Sequence, residues 1–192
     1  MVAAYLIGSM SFAVISSRLF RLPDPHTYGS GNPGATNVLR TGNKTAAALT
    51  LAGDGLKGFV AVWLAYWLST HWGDPRPAAS GAALAVFVGH LYPLFHRFAG
   101  GKGVATAAGI VFALSWQLGI ALVAVWLAMI GLFRISSLAA LTAAVATPPL
   151  GFYFLGNEPE AWALVPIALL LVWRHRGNIV KLLRGRERRI GS

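Results

Sequence analysis

The sequence predicts an all-α integral membrane protein with seven transmembrane helices, and three observations support this fold class. Of the 192 residues, 56% are hydrophobic and only 11% are charged, whereas a soluble domain has about 25% charged residues. The hydrophobic residues form long runs that short polar segments separate. The basic residues, which give a net charge of +10, cluster in alternate polar segments. No linker divides the chain, so we expect one domain over residues 1–192.

The apolar runs are long enough to cross a membrane as helices, which need about 20 residues each. They cover residues 2–20, 45–70, 79–96, 104–133, 138–155 and 161–173. The run 104–133 is too long for one upright helix, and Ser115-Trp116-Gln117 interrupts it, so we expect two short helices there. The first run lacks a basic start and a small-residue cleavage site, so we expect a retained membrane helix and not a cleaved signal peptide.

The positive charge predicts the orientation of the chain. The segments 18–44 and 96–103, Arg134 and the tail from residue 174 together hold 14 of the 16 basic residues. Basic loops stay on the cytoplasmic side of a bacterial inner membrane, so seven crossings place the N-terminus in the periplasm and the C-terminus in the cytoplasm. Six crossings would break this rule. Because topology explains the charge, we expect no nucleic-acid partner.

Residues 29–40, here called the first glycine segment, have a composition that suits an anion. They read Gly-Ser-Gly-Asn-Pro-Gly-Ala-Thr-Asn-Val-Leu-Arg and expose many backbone N–H groups. Ser30, Thr36 and Asn37 add hydrogen-bond donors, and Arg40 adds a fixed positive charge that suits phosphate. By composition alone, a flexible glycine loop with a helix cap explains the segment equally well.

Residues 98–106, the second glycine segment, follow Gly89-His90-Leu91-Tyr92-Pro93 and join two apolar runs. Gly-Gly-Lys-Gly at a helix start places N–H groups and the Lys102 ammonium at one point, which favours an anion site. The segment is not a P-loop, because Gly103 follows the lysine where serine or threonine belongs. The alternative is an interfacial lysine whose ammonium reaches the water. Two such segments on one membrane face favour the anion site.

Asp54 and Lys57 lie inside an apolar run, where ionisable side chains cost about 2.5–3.5 kcal/mol each. Their spacing places both on one helix face, so they can pair. A pair that only braces the helices explains them as well as a catalytic role does. The polar stretch at residues 134–137 is also open to two interpretations, because a helix cap explains it as well as a site.

In the basic tail, a continuous helix would place Arg174, Asn178 and Lys181 on one face. Such a helix would lie at the interface and bind anionic lipid. His175 and Asn178 are nearest the membrane and are the site candidates of the tail.

Together these motifs resemble the acyl-phosphate:glycerol-3-phosphate acyltransferase family (PlsY) over nearly the whole chain. The resemblance is carried in order by Tyr5-Leu6-Ile7-Gly8-Ser9, the first glycine segment, Asp54-x-x-Lys57-Gly58, Gly89-His90-x-x-Pro93, Gly100–Thr106 and Arg174-His175-Arg176-x-Asn178-Ile179. It implies a bacterial inner-membrane enzyme with seven transmembrane helices and a cytoplasmic active site. Such an enzyme transfers a fatty acyl group from acyl phosphate to sn-glycerol 3-phosphate. The products are lysophosphatidic acid and phosphate, in the first step of phospholipid synthesis.

The resemblance also implies roles for individual residues. Those expected to hold glycerol 3-phosphate are Ser30, Arg40, Lys102, His175 and Asn178. Those expected to hold the phosphoryl group of acyl phosphate are Thr36, Asn37, the turn Gly100–Gly103 and Ser137. We expect the catalytic residues to be Ser30, Lys102 and Asn178, further binding residues to be Gly31, Asn32, Gly100, Gly101, Gly103 and Thr106, and supporting residues to be Asp54, Lys57 and His90.

We expect neither a cofactor nor a metal, and a monomer that contacts membrane lipid. The carboxylates on the cytoplasmic side, Asp24, Asp54 and Glu187, are too scattered for Mg²⁺, and the chain has no cysteine. Acyl phosphate already has a good leaving group, so Lys102 and glycine N–H groups could stabilise the reaction without a covalent intermediate. The resemblance suggests that a substrate phosphate oxygen accepts the hydroxyl proton.

Two positions depart from the family pattern: the usual Asp-x-Arg reads Asp24-Pro25-His26, and Ala140 replaces a serine after Ser137. Two rival functions remain at this point. A transporter for an organic phosphate would reuse the anion site, although transporters usually show internal repeats and a midplane site, which we do not find. A membrane scaffold would not need Ser30 and Lys102 to converge.

Overall fold

A computed structural model describes residues 1–190, and all regular structure in that part of the chain is helical. The α-helices in chain order are α1 (Val2–Gly8), α2 (Phe12–Leu19), α3 (Ala35–Leu39), α4 (Lys44–Ser69), α5 (Arg76–Leu91), α6 (Val104–Leu114), α7 (Trp116–Phe133), α8 (Ser136–Leu155), α9 (Pro159–Arg174) and α10 (Arg176–Leu183). A short 3₁₀ turn, Leu94–His96, follows α5.

The break predicted inside the long apolar run is confirmed at Ser115. This residue has extended backbone angles (φ −158°, ψ 119°), and α6 ends before it while α7 begins after it. Its Oγ accepts a hydrogen bond from Leu118 N (3.3 Å), so the side chain caps α7. The polar interruption therefore converts one overlong run into helices of 11 and 18 residues.

The prediction of one continuous helix through the tail is wrong. The axes of α9 and α10 differ by 57°, so Arg174, Asn178 and Lys181 do not share one helix face. The chain turns at His175. Its backbone N–H (3.2 Å) and its ring Nδ1 (2.8 Å) both contact the carbonyl oxygen of Leu171, which is one of the last acceptors of α9. A similar bend of 41° separates α1 from α2 inside the first apolar run.

The helices suit a protein that crosses a membrane several times. Within residues 1–190, four helices (α4, α5, α7 and α8) are long and apolar enough to span a bilayer. The bent pairs α1–α2 and α9–α10 would each qualify as one broken span, and α6 is a shorter apolar helix. The expected number of seven crossings stays a prediction.

Glycines allow α6 to lie directly against α4. A Cβ atom at Gly109 would be 1.8 Å from the carbonyl oxygen of Gly55, and one at Gly58 would be 2.4 Å from that of Thr106. Small residues let the backbones of membrane helices approach this closely and gain van der Waals contact. Only Gly103 separates Lys102 from the start of α6, so this crossing places the second glycine segment beside α4.

The buried core lies between α4, α5, α6, α7 and α9, and its largest fully buried side chains are Phe87, Leu91, Ile110, Leu118 and Leu164. The polar connections lie at the two ends of the helices. At one end Arg76 and Glu158 pair (2.8 Å). At the other end Ile190 N donates to Arg134 O (2.7 Å). Arg76 and Glu158 therefore share one end of the molecule and Arg134 and Ile190 share the other, and the membrane side that each end faces stays a prediction.

The α4–α6 crossing makes a testable prediction about stability. Gly109→Ala should lower the thermal unfolding midpoint in detergent by several degrees, because its methyl group overlaps the carbonyl of Gly55. The expected loss is about 1–3 kcal/mol, as for other overpacked sites. Gly131→Ala on α7 is the control, since a Cβ there would meet nothing within 4 Å. Equal midpoints for the two variants would contradict this account of the crossing.

Candidate active site

A polar cavity of about 820 Å³ lies at the end of the molecule that holds Arg134 and the tail. Both glycine segments, the α7–α8 junction, the α9–α10 junction and the tail contribute to its wall. The residues selected from the sequence that line it are Ser30, Asn32, Thr36, Asn37, Arg40, Asp54, His90, Lys102, Gly103, Ser137, His175 and Asn178. The fold thus brings most of the predicted site residues to one place.

Five of the predicted residues lie outside the cavity lining as described for residues 1–190, namely Gly31, Lys57, Gly100, Gly101 and Thr106. Thr106 is fully buried and packs against Gly58 of α4. A Cβ atom at Gly100 would lie 2.2 Å from the carbonyl oxygen of His90, so this glycine permits a close backbone approach. Gly100 and Thr106 thus serve backbone and helix packing next to the cavity, whereas Gly31 is exposed.

The buried side chain of Asn37 organises the first glycine segment. Its Nδ2 donates to the carbonyl oxygens of Pro25 (2.9 Å) and Tyr28 (3.2 Å). Its Oδ1 accepts from the backbone N–H of Ser30 (2.9 Å), from the Ser30 hydroxyl (3.2 Å) and from Arg40 Nη1 (3.4 Å). Both donor hydrogens of Asn37 are therefore engaged, and the residue places Ser30 and Arg40 side by side at the cavity.

Arg174 fixes the second glycine segment, a role that the sequence analysis missed. Its Nη2 donates to Gly100 O (2.6 Å) and its Nε donates to Gly101 O (3.1 Å). Gly101 N also donates to His90 O (3.2 Å). Gly103 has φ +87°, in the left-handed region that favours glycine, and forms the N-cap of α6. Hydrogen bonds to Arg174 and to His90 consequently fix the turn that carries Lys102.

Lys102 reaches across the cavity to α10, where its Nζ donates to Asn178 Oδ1 (2.5 Å). Burial lowers the pKa of Lys102 below its usual 10.5, while the nearby Glu187 carboxylate opposes that effect. The basic side chains Lys181, Arg174 and Arg40 lower the pKa further. An incoming anion would stabilise a cation in such surroundings, because it offsets both the removal of water and the repulsion by the other cations.

Glu187 is a second site residue that the sequence analysis did not select. Its Oε1 accepts from Ser137 Oγ (2.9 Å) and from Asn178 Nδ2 (2.6 Å). Its Oε2 is buried without a hydrogen-bond partner among residues 1–190. The bond from Asn178 orients the amide of that residue, so that its oxygen faces Lys102. One carboxylate in an otherwise basic tail was the signal that the sequence offered.

The ion pair expected between Asp54 and Lys57 forms in the buried part of α4, with 2.8 Å between Oδ1 and Nζ. Lys57 also donates to Met10 O (2.6 Å), which ties α4 to the α1–α2 bend. His90 Nδ1 lies 3.7 Å from the same Asp54 oxygen. Asp54 and His90 line the cavity, whereas Lys57 does not. The Asp54–Lys57 ion pair therefore connects the helices and also contributes Asp54 to the cavity wall.

An apolar groove of about 650 Å³ continues from the polar cavity between α4, α6, α7, α8 and α9. The residues that line both spaces are Leu51, Val104, Ala105, Trp126 and Ala140. A ligand could therefore place a charged head among Arg40, Lys102 and Ser137 and an aliphatic chain among the helices. This arrangement suits lipid-like molecules that carry phosphate.

The fold and this divided site define a helical membrane protein that handles phosphate groups and long apolar chains side by side. The sequence model of the glycerol-3-phosphate acyltransferase family matches residues 1–185. The chain belongs to this family, and it is accordingly a membrane enzyme of the acyltransferase class.

Relatives and solved structures agree with this assignment. Glycerol-3-phosphate acyltransferase of Burkholderia vietnamiensis is 59% identical over 191 residues, which cover 98% of this chain and 88% of that protein. The enzyme of Cupriavidus pinatubonensis is 59% identical over 190 residues, with 99% and 94% covered.

Crystal structures of PlsY, an integral membrane glycerol 3-phosphate acyltransferase, are similar over almost the whole chain at 38% identity. The glycerol 3-phosphate form has a TM-score of 0.89 and covers 99% of this chain and 93% of that one. The lysophosphatidic acid form has a TM-score of 0.86, with 98% and 92% covered. The shared fold therefore extends over both the polar cavity and the apolar groove.

The electrostatic interaction between Glu187 and Lys102 makes a prediction about pH dependence. If the Lys102 ammonium binds phosphate, the rate should fall on the alkaline side as this group loses its proton. Glu187→Gln removes the charge that raises the pKa of Lys102. The alkaline limb of the kcat/KM profile should therefore move to lower pH.

Glu158→Gln is the control for that profile, because Glu158 pairs with Arg76 at the opposite end of the molecule. Its alkaline limb should coincide with that of the unaltered protein. An alkaline limb that stays in place or moves to higher pH in Glu187→Gln would refute the electrostatic role of Glu187.

Proposed function

We propose that the protein transfers a fatty acyl group from acyl phosphate to sn-glycerol 3-phosphate and releases 1-acyl-glycerol 3-phosphate and phosphate. The observation that carries this proposal is the cationic cavity that opens directly into an apolar groove. A polar acceptor needs only the cavity, whereas an acyl donor needs both spaces. The glycerol 3-phosphate and lysophosphatidic acid forms of the similar PlsY structures support the acceptor and the product.

The residues that line the cavity support a division of roles between the two substrates. We assign glycerol 3-phosphate to Ser30, Arg40, Lys102, His175 and Asn178. We assign the phosphoryl group of the donor to Thr36, Gly103 and Ser137. Asn37, whose amide hydrogens bond Pro25 and Tyr28, and Gly100 and Gly101, which lie outside the lining, would position these groups. The first set joins the first glycine segment to α10, and the second set reaches the α7–α8 junction, where Thr36 Oγ1 and Ser136 Oγ lie 3.3 Å apart. Lys102 lies between the two sets, so it would contact both the phosphate of glycerol 3-phosphate and the phosphoryl group of the donor.

The reaction we propose is a direct displacement at the acyl carbon. The terminal glycerol oxygen forms the new ester bond, the bond between the acyl carbon and the phosphate oxygen breaks, and inorganic phosphate leaves. Lys102 stabilises the charge that develops on the departing phosphate, and Ser30 and Asn178 hold the acceptor in reach. A phosphate oxygen, with a second pKa of about 6, accepts the hydroxyl proton. These steps use no metal and no covalent enzyme intermediate.

We further propose that the chain forms one domain that crosses a bacterial inner membrane seven times and acts as a monomer. The four single spans, the two bent pairs and α6 together would supply the seven crossings. The basic segments share one end with the cavity, so the positive-inside rule would place the site at the cytoplasmic face and the N-terminus in the periplasm.

The proposed reaction is tested with purified protein, palmitoyl phosphate and glycerol 3-phosphate in detergent without added metal. Inorganic phosphate and lysophosphatidic acid should form in equal amounts. Lys102→Ala should reduce the rate by about a hundredfold to a thousandfold, because the ammonium is removed from the developing charge. Arg184→Ala is the control, since it removes an exposed cation of the tail that does not line the described cavity.

Each result of this experiment favours one function. Product formation at the unaltered rate in a folded Lys102→Ala protein would contradict the role of Lys102. Absence of product, together with uptake of labelled glycerol 3-phosphate into proteoliposomes, would replace the enzyme with a transporter.

The apolar groove makes a separate prediction about chain length. Ala143 lines the groove but not the polar cavity, so Ala143→Phe should shorten the space for the acyl chain. The KM for palmitoyl phosphate should rise about tenfold or more, while the KM for octanoyl phosphate should change little. Ala124→Phe, at an exposed position of α7 outside the groove lining, is the control. Equal effects on both donors would exclude this groove as the acyl site.

A further inference from the structure

A histidine outside the polar cavity joins the second glycine segment to the loop that precedes the first one. His26 lies in the loop just before the first glycine segment. Its ring Nδ1 is 2.6 Å from Asp24 Oδ1, and its ring Nε2 is 3.0 Å from Ala99 O in the second glycine segment. About a quarter of its side chain is exposed. The ring therefore contacts one oxygen in its own loop and one in the second glycine segment.

Both of these oxygens act as hydrogen-bond acceptors. The Ala99 carbonyl has no proton to give, and the pKa of Asp24 is lowered, first by the backbone N–H of His26 and also by its ring. Both contacts are hydrogen bonds only if both ring nitrogens carry a proton, which is the imidazolium form. A neutral ring keeps one N–H, so one nitrogen lone pair would then face an oxygen at 2.6 or 3.0 Å.

The bond to Ala99 reaches the second glycine segment at a strained place. Arg97 and Phe98 have φ of 51° and 60°, so two consecutive non-glycine residues occupy the left-handed region. The carbonyl oxygens of the next three residues each contact a basic side chain. Ala99 O accepts from His26, and Gly100 O and Gly101 O accept from Arg174. Lys102 is the next residue, so these contacts determine where its backbone lies.

The two side chains that hold this turn, Arg174 and His26, differ in how their charge depends on pH. The guanidinium of Arg174 stays charged at any physiological pH, whereas histidine side chains change charge between about pH 5 and pH 8. The half of the turn at Gly100 and Gly101 is therefore permanently held. At Ala99 the bond needs a proton on Nε2, and a neutral ring that keeps its one N–H on Nδ1, facing the Asp24 carboxylate at the shorter distance, gives that bond up.

We propose that His26 is a positioning residue whose imidazolium form clamps the second glycine segment to the loop that leads into the first one and so sets the affinity for phosphate-bearing substrates. In the neutral ring the bond to Ala99 is lost, the turn before Lys102 loosens, and glycerol 3-phosphate binds more weakly. This proposal rests on the proposed assignment of glycerol 3-phosphate to the polar cavity.

The charged and titratable groups around His26 come from several elements. Asp24 belongs to its own loop, and His96 belongs to the 3₁₀ turn, with ring centroids 6.3 Å apart. Arg18 of α2 acts on both Asp24 and His96, and Lys57 of α4 acts on His96. Of these groups, only His96 is also an imidazole, the side-chain type that changes charge near neutral pH. His96 is therefore the group that the experiment must separate from His26.

The test measures the dissociation constant of glycerol 3-phosphate by calorimetry between about pH 5.5 and pH 8 for the unaltered protein and for His26→Arg. Arginine supplies a cation that does not titrate. We therefore divide the dissociation constant of the unaltered protein by that of His26→Arg at each pH. The ionisation of the ligand and of Lys102 affects both proteins, so this ratio isolates the effect of His26. The ratio should rise roughly threefold to tenfold with pH, as expected when one charge-assisted hydrogen bond is broken. A ratio that stays flat would overturn the proposal.

Three further variants complete the design. His26→Gln, which has no titrating cation, should bind weakly with the pH dependence of the His26→Arg protein. His96→Gln should keep the pH dependence of the unaltered protein, and a flat ratio there would assign the titration to His96. His71→Arg makes the same exchange at an exposed site in the loop after α4 and should change nothing.

Phosphate release from palmitoyl phosphate is measured in parallel and separates two kinds of failure. Absence of turnover in every protein, with pH-dependent binding intact, would remove the proposed reaction but keep the clamp. Turnover with a flat binding ratio would keep the reaction and remove the clamp. Failure of the unaltered protein to bind glycerol 3-phosphate at any pH would overturn both.

Discussion

The close approach of α6 to α4 is the constraint on which the site depends. Gly58 and Gly109 allow the two backbones to touch, and a side chain at position 109 would overlap the opposite carbonyl. Since only Gly103 separates Lys102 from α6, this crossing decides where the ammonium enters the cavity. A wider crossing would move Lys102 away from Asn178 on α10. Helix packing inside the apolar part of the molecule thus controls geometry at its polar end.

The electrostatics of the site follow from an excess of cations over carboxylates. Lys102, Arg40 and Arg174 meet at one end of the helices, and Glu187 is the carboxylate within hydrogen-bond reach of Ser137 and Asn178. One carboxylate does not compensate this charge. The cavity is therefore ready to accept phosphate, and its wall is held by hydrogen bonds that do not depend on the ligand. Such preorganised charge stabilises a reacting anion without reorganisation during the reaction.

Several residues of the site could be identified from sequence because their chemistry is unusual for a membrane chain. Lysine, arginine, asparagine and glycine clusters interrupt apolar runs, and most of the predicted residues line one cavity. Glu187 and Arg174 were missed as site residues because charged residues are common in a basic tail. Their significance lies in their hydrogen bonds, with Asn178 and with Gly100 and Gly101. The continuous tail helix was wrong for a related reason, since the bend at His175 depends on where α9 can satisfy its last carbonyls.

The sequence by itself determined the helical membrane class, the break at Ser115 and the residue types that bind phosphate, because hydrophobicity, helix capping and charge are local properties. Only the tertiary structure decided which of these residues meet. It showed that Thr106 packs against α4, that Asn37 uses its amide to build the first glycine segment, and that the polar cavity continues into an apolar groove. The physical reason is that these features depend on distances between segments far apart in the chain, which helix crossings fix and local patterns do not encode.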